Sequence, residues 1–284
     1  MQMTAFLPLG LAFLMLVVGL RLTAADFSQL WRSPKAAWIG ALAQVAGLPL
    51  LALAIARILA LPQELALGLL VVAAAPGGIT SNFMAVLARA DVALSTTMTL
   101  GTSLLAAITI PLVLWLGQEQ VAVEGGALAL AIARTGLAVL AVSAIPLLAG
   151  MALRAKAGDL VARWSRTLDR VSTVIFFAIV LATFLQNGSA VVADAPRAGL
   201  AAILLNLGAI GLAFVSGRLA ALQQRQILAI ALECGLQNVA MALFIATSVL
   251  HDTRLVAPAL VYAVVMNLTA LVLVAFGRTS AANV

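Results

Sequence analysis

One acidic residue lies in the middle of a long apolar stretch near the end of the sequence. Glu233 is followed closely by Gly235 and by the amides Gln237 and Asn238, within an apolar run from about 227 to 250. Because about 20 apolar residues cross the hydrocarbon core of a bilayer, Glu233 is predicted to lie near its midplane. An ionised carboxylate at that depth is costly unless a cation or hydrogen-bond donors compensate its charge. The glycine and the amides favour an interrupted helix, whose freed carbonyls could also bind a cation.

A second polar stretch interrupts an earlier apolar run. Pro76, Gly77 and Gly78 remove one amide donor and add two flexible positions, so a regular helix cannot continue through them. Residues 80–82 are Thr, Ser and Asn, which offer oxygen ligands and a helix N-cap. Glycines in membrane helices often serve only close packing, but packing alone does not call for three polar residues in a row. We therefore interpret this stretch as part of a binding site.

Further oxygen-bearing side chains could complete a cation site with these two stretches. Ser95 and Thr99 are four residues apart and share a helix face, although each hydroxyl could instead bond to the carbonyl one turn back. Hard cations prefer oxygen, and Na⁺ needs about five or six oxygens to replace its water shell. The first predicted set is Ser81, Asn82, Ser95, Thr99 and Glu233. The second is Gln44, Gln237 and the carbonyls around Cys234 and Leu236, with Glu233 shared.

The overall composition is that of a polytopic membrane protein. The 284 residues are 64% hydrophobic and only 9% charged, and the mean hydropathy is +1.16. The single cysteine, Cys234, excludes an internal disulfide and a multi-cysteine metal site. No basic segment precedes the first apolar run, so we expect it to be a membrane span and not a removed signal peptide.

Hydropathy divides the chain into nine predicted transmembrane helices. They are residues 4–22, 36–60, 65–88, 92–116, 127–153, 169–187, 197–217, 226–250 and 255–277. Of the 16 Lys and Arg residues, twelve fall in alternate loops and the C-terminus on one side, three fall on the other side, and Arg134 lies within the fifth predicted helix. The positive-inside rule then places the N-terminus outside and the C-terminus in the cytoplasm. The net charge of +6 therefore reflects topology and does not indicate a nucleic-acid partner.

The sequence also contains a weak internal repeat. Pro34 and Pro196 each open a segment, and an intramembrane amide follows ten residues later, Gln44 in the first and Asn206 in the second. Each segment continues through an interrupted span to one more helix. The two halves are residues 34–116 and 196–277 of a single transmembrane domain, 1–284. They start on opposite sides of the membrane, so the repeat is inverted, which places a ligand site where the interruptions meet. Chance similarity between Ala/Leu-rich helices is the alternative, and the matching interruptions argue against it.

These motifs together resemble the bile acid:sodium symporter family, including its bacterial homologues. The resemblance covers nearly the whole chain. It lies in Gln44 with Pro49, Pro76, Gly77 and Gly78 with Ser81 and Asn82, residues 91–95 with Thr99, and Glu233 with Gly235, Gln237 and Asn238. It implies a panel domain and a core domain, with two broken helices that cross in the core and two Na⁺ sites behind the crossing. It also implies a multi-pass protein of the bacterial inner (plasma) membrane.

The same resemblance assigns roles to individual residues. The two Na⁺ sites would use the two oxygen-rich sets, with Cys234 and Leu236 contributing backbone carbonyls. The substrate would lie between the domains, against the crossing. Its predicted surroundings are Ile79, Thr80, Asn238 and Asn267, together with Asn206 and Met266. Ile79 and Met266 replace polar residues that some members carry, so sodium coupling is better supported than bile acid transport.

We therefore predict a sodium-coupled symporter of a small organic anion, working by alternating access in the lipid bilayer. A bile acid-like molecule, a keto acid and a pantoate-like anion remain open as substrates. One alternative keeps the fold and lets Glu233 carry a proton in place of a metal cation. A second is an integral-membrane enzyme, but such enzymes usually group several acids or histidines. Here one acid is buried, and the only histidine, His251, lies in a short loop.

Overall fold

The protein is an all-α, multi-pass membrane protein. The computed structural model describes residues 3–23, 25–26, 33–117 and 126–280. Six helical stretches in these ranges are long and apolar enough to cross a membrane. The helices are α1 (Met3–Arg21), α2 (Pro34–Ile58), α3 (Gln63–Ala74), α4 (Ile79–Leu87), α5 (Val92–Leu116), α6 (Gly126–Val139, Leu140–Ala144 and Ile145–Lys156), α7 (Gly158–Leu219), α8 (Gln224–Gly235), α9 (Val239–Val249) and α10 (Val256–Ser280).

Two apolar stretches are each divided into a pair of shorter helices, at the two places that the sequence predicted. Between α3 and α4 the backbone is extended at Ala75, with φ −64° and ψ 146°, and at Gly78, with φ −112° and ψ 174°. Between α8 and α9, Leu236 leaves the helical region with φ −105° and ψ 85°. The Asn238 side chain then caps α9 by accepting a hydrogen bond from the Met241 amide at 3.0 Å. Proline and glycine therefore interrupt the first helix, and glycine and amide side chains interrupt the second.

One predicted loop is wrong. A separate connection was expected at 188–196, but α7 is helical throughout its 62 residues and contains Pro196. A proline removes only one amide donor, and membrane helices tolerate it where neighbouring groups satisfy the freed carbonyl. The two apolar segments themselves remain, since Gly158–Ser189 and Val191–Leu219 are each long enough to cross a membrane.

The interrupted helices α8 and α9 lie at the centre of the molecule. Every residue from 227 to 246 is buried, including the fully buried Glu233. Helices α5, α7 and α10 pack around α8. The one acidic side chain of this segment is therefore enclosed by protein and does not face lipid.

Polar contacts hold the outer ends of the interrupted helices. At one end, the Arg225 side chain donates to the Arg89 carbonyl at 3.0 Å, and the Asp91 amide donates to the Arg225 carbonyl at 3.0 Å. At the other end, Arg254 pairs with Glu64 at 2.6 Å and with Asp252 at 2.7 Å. The Arg225 contacts and the Arg254–Glu64 pair each join one interrupted helix to the segment that follows the other, and Asp252 holds the Arg254 side chain from within its own segment. The centre, where both helices stop, is thus fixed from both ends.

Candidate functional site: a buried oxygen-rich junction

The two helix interruptions meet and share hydrogen bonds. We call residues 75–78 and 235–238 the junction. Gly77 and Gln237 form an antiparallel β-bridge, and the Asn238 amide donates to the Pro76 carbonyl at 2.9 Å. Backbone groups that the helices leave unpaired need partners in a buried environment, and each interruption supplies them to the other. The junction is therefore a built contact between two distant parts of the chain.

The Glu233 carboxylate lies beside the junction and receives hydroxyl donors from α5. Thr99 donates to Oε1 at 2.7 Å, and Ser95 donates to Oε2 at 3.1 Å. Because both hydroxyls lie one helical turn apart on α5, a single helix face covers both carboxylate oxygens. The Thr99 hydroxyl also lies 3.1 Å from the Ser95 carbonyl, the local contact that was the alternative interpretation of this pair.

Helix α4 adds two more oxygen-bearing side chains to the same cluster. The Ser95 hydroxyl lies 2.9 Å from the Asn82 oxygen, so its single proton is shared between this oxygen and Glu233 Oε2. The Asn82 amide donates to the Thr99 hydroxyl at 3.3 Å. Ser81 is fully buried and donates to the Gly78 carbonyl at 2.7 Å. The structure therefore brings the whole first predicted set together. Sequence reasoning missed Thr96, whose hydroxyl lies 3.5 Å from the Asn82 oxygen.

Gly77 gives the carboxylate its room. A Cβ atom added at Gly77 would overlap Glu233 Oε1, and it would lie 2.5 Å from Cδ and 3.2 Å from Cγ. Any side chain at this position would displace either the carboxylate or the backbone of the junction. The sequence indicated that Gly77 interrupts a helix, but not that it faces Glu233.

The second predicted set lies on the other side of the junction. The Gln44 amide nitrogen donates to Gln237 Oε1 at 3.0 Å and contacts the Ala75 carbonyl at 3.4 Å. The Gln237 nitrogen donates to the Cys234 carbonyl at 2.6 Å. Gln44 Oε1 is buried and has no hydrogen-bond partner among the described residues. A buried oxygen that receives no hydrogen bond can be satisfied by a cation, so the oxygen atoms of this set are suited to bind a cation.

A π-helical turn, Ala43–Gly47, carries Gln44. Such turns arise from a local change in helix hydrogen bonding and are frequent at functional sites. The sequence predicted a regular helix here, because neither hydropathy nor the following Pro49 distinguishes a π-turn from an α-helix.

The residues predicted to contact substrate are only partly brought together. Thr80 is half-buried in the first turn of α4, and Asn238 caps α9 with its amide 3.8 Å from the Met15 sulfur. Asn267 is half-buried on α10 and donates to its own helix at the Ala263 carbonyl, at 2.6 Å. The Ile79 side chain lies outside the described part of the chain.

The other two predicted substrate residues are enclosed by protein. Met266 is 1% exposed and Asn206 is fully buried. The Asn206 amide donates to the Gly235 carbonyl at 2.8 Å. The Asn206 side chain therefore supports the junction from within.

The chemistry of the cluster is that of hard oxygen donors around a single negative charge. Within the described ranges, no group of three or more His, Cys, Asp or Glu side chains could hold a metal ion. The site instead offers hydroxyls, amide oxygens, backbone carbonyls and one carboxylate, which together suit a monovalent cation.

Comparison with known proteins also relates this chain to sodium-dependent transporters. The Sodium Bile acid symporter family matches residues 8–194. The chain is 32% identical over 268 residues to a Bacillus subtilis protein described as an uncharacterized sodium-dependent transporter, YocS, covering 94% of this chain and 81% of that one. It is 29% identical over 273 residues to a probable chloroplastic sodium/metabolite cotransporter of Arabidopsis thaliana, BASS1, covering 96% of this chain and 66% of the plant protein. A mouse sodium/bile acid cotransporter, number 4, is 36% identical over 114 residues, which are 40% of this chain and 26% of that protein. The chain belongs to the sodium bile acid symporter family, whose members are transporters and not enzymes.

Proposed function

We propose that the protein is a sodium-coupled symporter that carries a small organic anion across the bacterial inner membrane. The observation that carries this proposal is the fully buried Glu233 carboxylate, with oxygen-rich clusters on both sides of the junction. We further propose nine membrane spans, with the N-terminus outside and the C-terminus in the cytoplasm. Names of relatives that mention sodium support the choice of cation.

Two Na⁺ ions would bind at the junction and share Glu233. The first would replace the hydrogen bonds that Ser95 and Thr99 now donate, since their oxygens can turn lone pairs toward a cation. The other ligands of this site are Ser81 and Asn82. The second ion would use the Gln44 oxygen that lacks a donor, together with Gln237 and the carbonyls of Cys234 and Leu236.

The hydrogen bonds at the junction support the inverted repeat. Gly77 pairs with Gln237. A two-fold axis through this pair would relate Ala75, two residues before Gly77, to Gly235, two residues before Gln237. The two repeat-related amides contact these same two carbonyls, Gln44 at Ala75 and Asn206 at Gly235. On this basis we propose that residues 34–116 and 196–277 form inverted halves and that their interrupted helices belong to a core domain. Helices α1 and α6 and the first half of α7 would form the panel domain.

The anion would bind where the N-termini of α4 and α9 reach the junction, because helix N-termini carry partial positive charge. Thr80, Asn238 and Asn267 would supply its polar contacts, and Ile79 would supply an apolar one. Met266 and Asn206 would support this surface from behind. A bile acid-like molecule, a keto acid or a pantoate-like anion fits this description.

Ion binding would drive uptake by alternating access between the panel and the core. Two Na⁺ ions entering with one monoanion carry one net positive charge inward, worth about 2.3 kcal/mol per 100 mV of membrane potential. Neutralising Glu233 would also lower the cost of moving the loaded core relative to a core with an uncompensated charge. Sodium and anion would then travel together.

The test is the thermal stability of the purified protein in detergent, across a NaCl series matched with KCl. A ligand that binds only the folded state raises the melting temperature by mass action. Na⁺ should stabilise the wild type and a Glu64→Gln control, which makes the same chemical change at a partly exposed ion pair. Glu233→Gln should lose the effect. Equal responses to Na⁺ and K⁺ in all three proteins would contradict sodium coupling, and uptake driven by a pH gradient without Na⁺ would then select proton coupling.

A further inference from the structure

Two buried polar side chains meet behind the junction, and the proposed ion and anion sites do not use them directly. Asn206 lies on α7 and Tyr262 on α10, and both are fully buried. Both donate to the Gly235 carbonyl, the Asn206 amide at 2.8 Å and the Tyr262 hydroxyl at 3.0 Å. Tyr262 also accepts from the Asn206 amide at 3.2 Å. The three groups form a closed triangle of hydrogen bonds.

The Gly235 carbonyl accepts two hydrogen bonds from side chains of two other helices. The last carbonyls of a helix have no partner within the helix, and Gly235 is the final residue of α8. A single donor would satisfy this carbonyl, whereas two donors from different helices also fix its direction. Because peptide units are planar, fixing this carbonyl also fixes the amide of the next residue, Leu236. The carbonyls on either side, at Cys234 and Leu236, belong to the proposed second sodium site.

Tyr262 also fixes the orientation of the Asn206 amide. Asn206 Oδ1 is buried without a hydrogen-bond partner in the described part of the chain. The oxygen therefore does nothing to hold the side chain, and only the two bonds made by the nitrogen define its orientation. Removing the Tyr262 hydroxyl would delete one of these two bonds and one of the two donors to Gly235.

We propose that Asn206 and Tyr262 are positioning residues for sodium. They hold the Gly235 carbonyl so that the neighbouring carbonyls of Cys234 and Leu236 point at the second ion site. This inference rests on the proposed function, and it makes the affinity for sodium depend on two side chains that do not touch the ion.

The test is Tyr262→Phe, which keeps the ring and removes only the hydroxyl. The matched control is Thr183→Val, which deletes another buried hydroxyl, bonded at 2.8 Å to the Ile179 carbonyl of its own helix. Half-saturating NaCl is measured from the rise in melting temperature, with KCl replacing NaCl at constant ionic strength. Loss of one hydrogen bond should raise the half-saturating concentration roughly two- to tenfold in Tyr262→Phe. Thr183→Val should match the wild type.

A merely structural role would lower the sodium-free melting temperature and leave half-saturation unchanged, and that result would overturn the inference. If the wild type itself melts alike in NaCl and KCl, the proposed function fails and this inference fails with it. A double variant gives a second check. Asn206→Leu combined with Tyr262→Phe should weaken sodium binding less than the two separate effects combined, because both act through one carbonyl. Fully additive effects would also overturn the inference.

Discussion

Gly77→Ala is the sharpest perturbation of the junction, because it adds one methyl group against the Glu233 carboxylate. The added Cβ would overlap Oε1 and lie 2.5 Å from Cδ, so something must move. Glu233 is held by two hydroxyl donors, and Gly77 is held by its β-bridge to Gln237. A side chain moves more easily than a bridged backbone, and the carboxylate is therefore expected to shift.

The expected cost follows from these contacts. Forcing an extra methyl group into a packed interior costs about 1 to 3 kcal/mol. Sodium binding needs the carboxylate in its place among the proposed oxygen ligands, where it would overlap the new methyl group. Returning the displaced carboxylate to that place should therefore weaken sodium binding by about 3 kcal/mol, the upper end of this range. This corresponds to a rise of roughly a hundredfold in half-saturating Na⁺.

The adjacent glycine supplies the control. A Cβ at Gly78 would meet no atom nearer than 3.6 Å, and its φ of −112° suits alanine. Gly78→Ala should therefore bind sodium nearly as the wild type does, while Gly77→Ala should not. The assay is the sodium-dependent melting temperature, followed by uptake into proteoliposomes with a screened anion. Equal sodium responses in the two variants would refute the idea that Gly77 makes room for the carboxylate.

Two further outcomes are expected. Ser95→Ala should raise half-saturating Na⁺ about tenfold, because it removes a proposed oxygen ligand of the first ion beside the buried carboxylate. Ser103→Ala on the same helix should not, because its buried hydroxyl has no partner within the described ranges and is not a proposed ligand. Similar shifts in the two variants would contradict this. At the outer end, hydrogen bonds from Arg254 hold the pKa of Asp252 below its usual value of 3.8. The stabilisation from this pair is complete above that usual pKa and is lost as pH falls through the lower pKa of the folded state. Arg254→Gln should thus melt below the wild type at neutral pH, and the difference should close in strong acid; a difference independent of pH would contradict the pairing.

The sequence predicted the interruptions well because their causes are local. Pro76 cannot donate a hydrogen bond, and Gly235 does not favour a helix, whatever surrounds them. The oxygen-bearing neighbours were also predictable, because a buried acid such as Glu233 is stable only among polar groups or cations that compensate its charge. These inferences depend on residue type and depth in the membrane, and both can be estimated from one sequence.

The remaining features depend on contacts between distant parts of the chain. The fit of Gly77 against Glu233 and the hydrogen bonds that join Asn206, Tyr262 and Gly235 leave no pattern in the sequence, although the spacing from Pro196 did single out Asn206. The π-turn at Gln44 depends equally on packing. The loop predicted at 188–196 was wrong because a local signal was given too much weight. Glycine and proline break helices strongly in water, but a membrane helix can retain them when neighbouring groups satisfy its backbone.

The two interruptions contribute different things to the junction, and this difference explains how one site could couple two solutes. The α3–α4 interruption supplies room at Gly77, and the α8–α9 interruption supplies the charge at Glu233, so neither forms a cation site alone. A carboxylate so deeply buried is costly without a compensating cation. On the proposed function, sodium would therefore stabilise the same arrangement that presents the N-termini of α4 and α9 to the anion. Each solute would then bind more tightly in the presence of the other, and this reciprocity follows from linkage once both bind the same conformation.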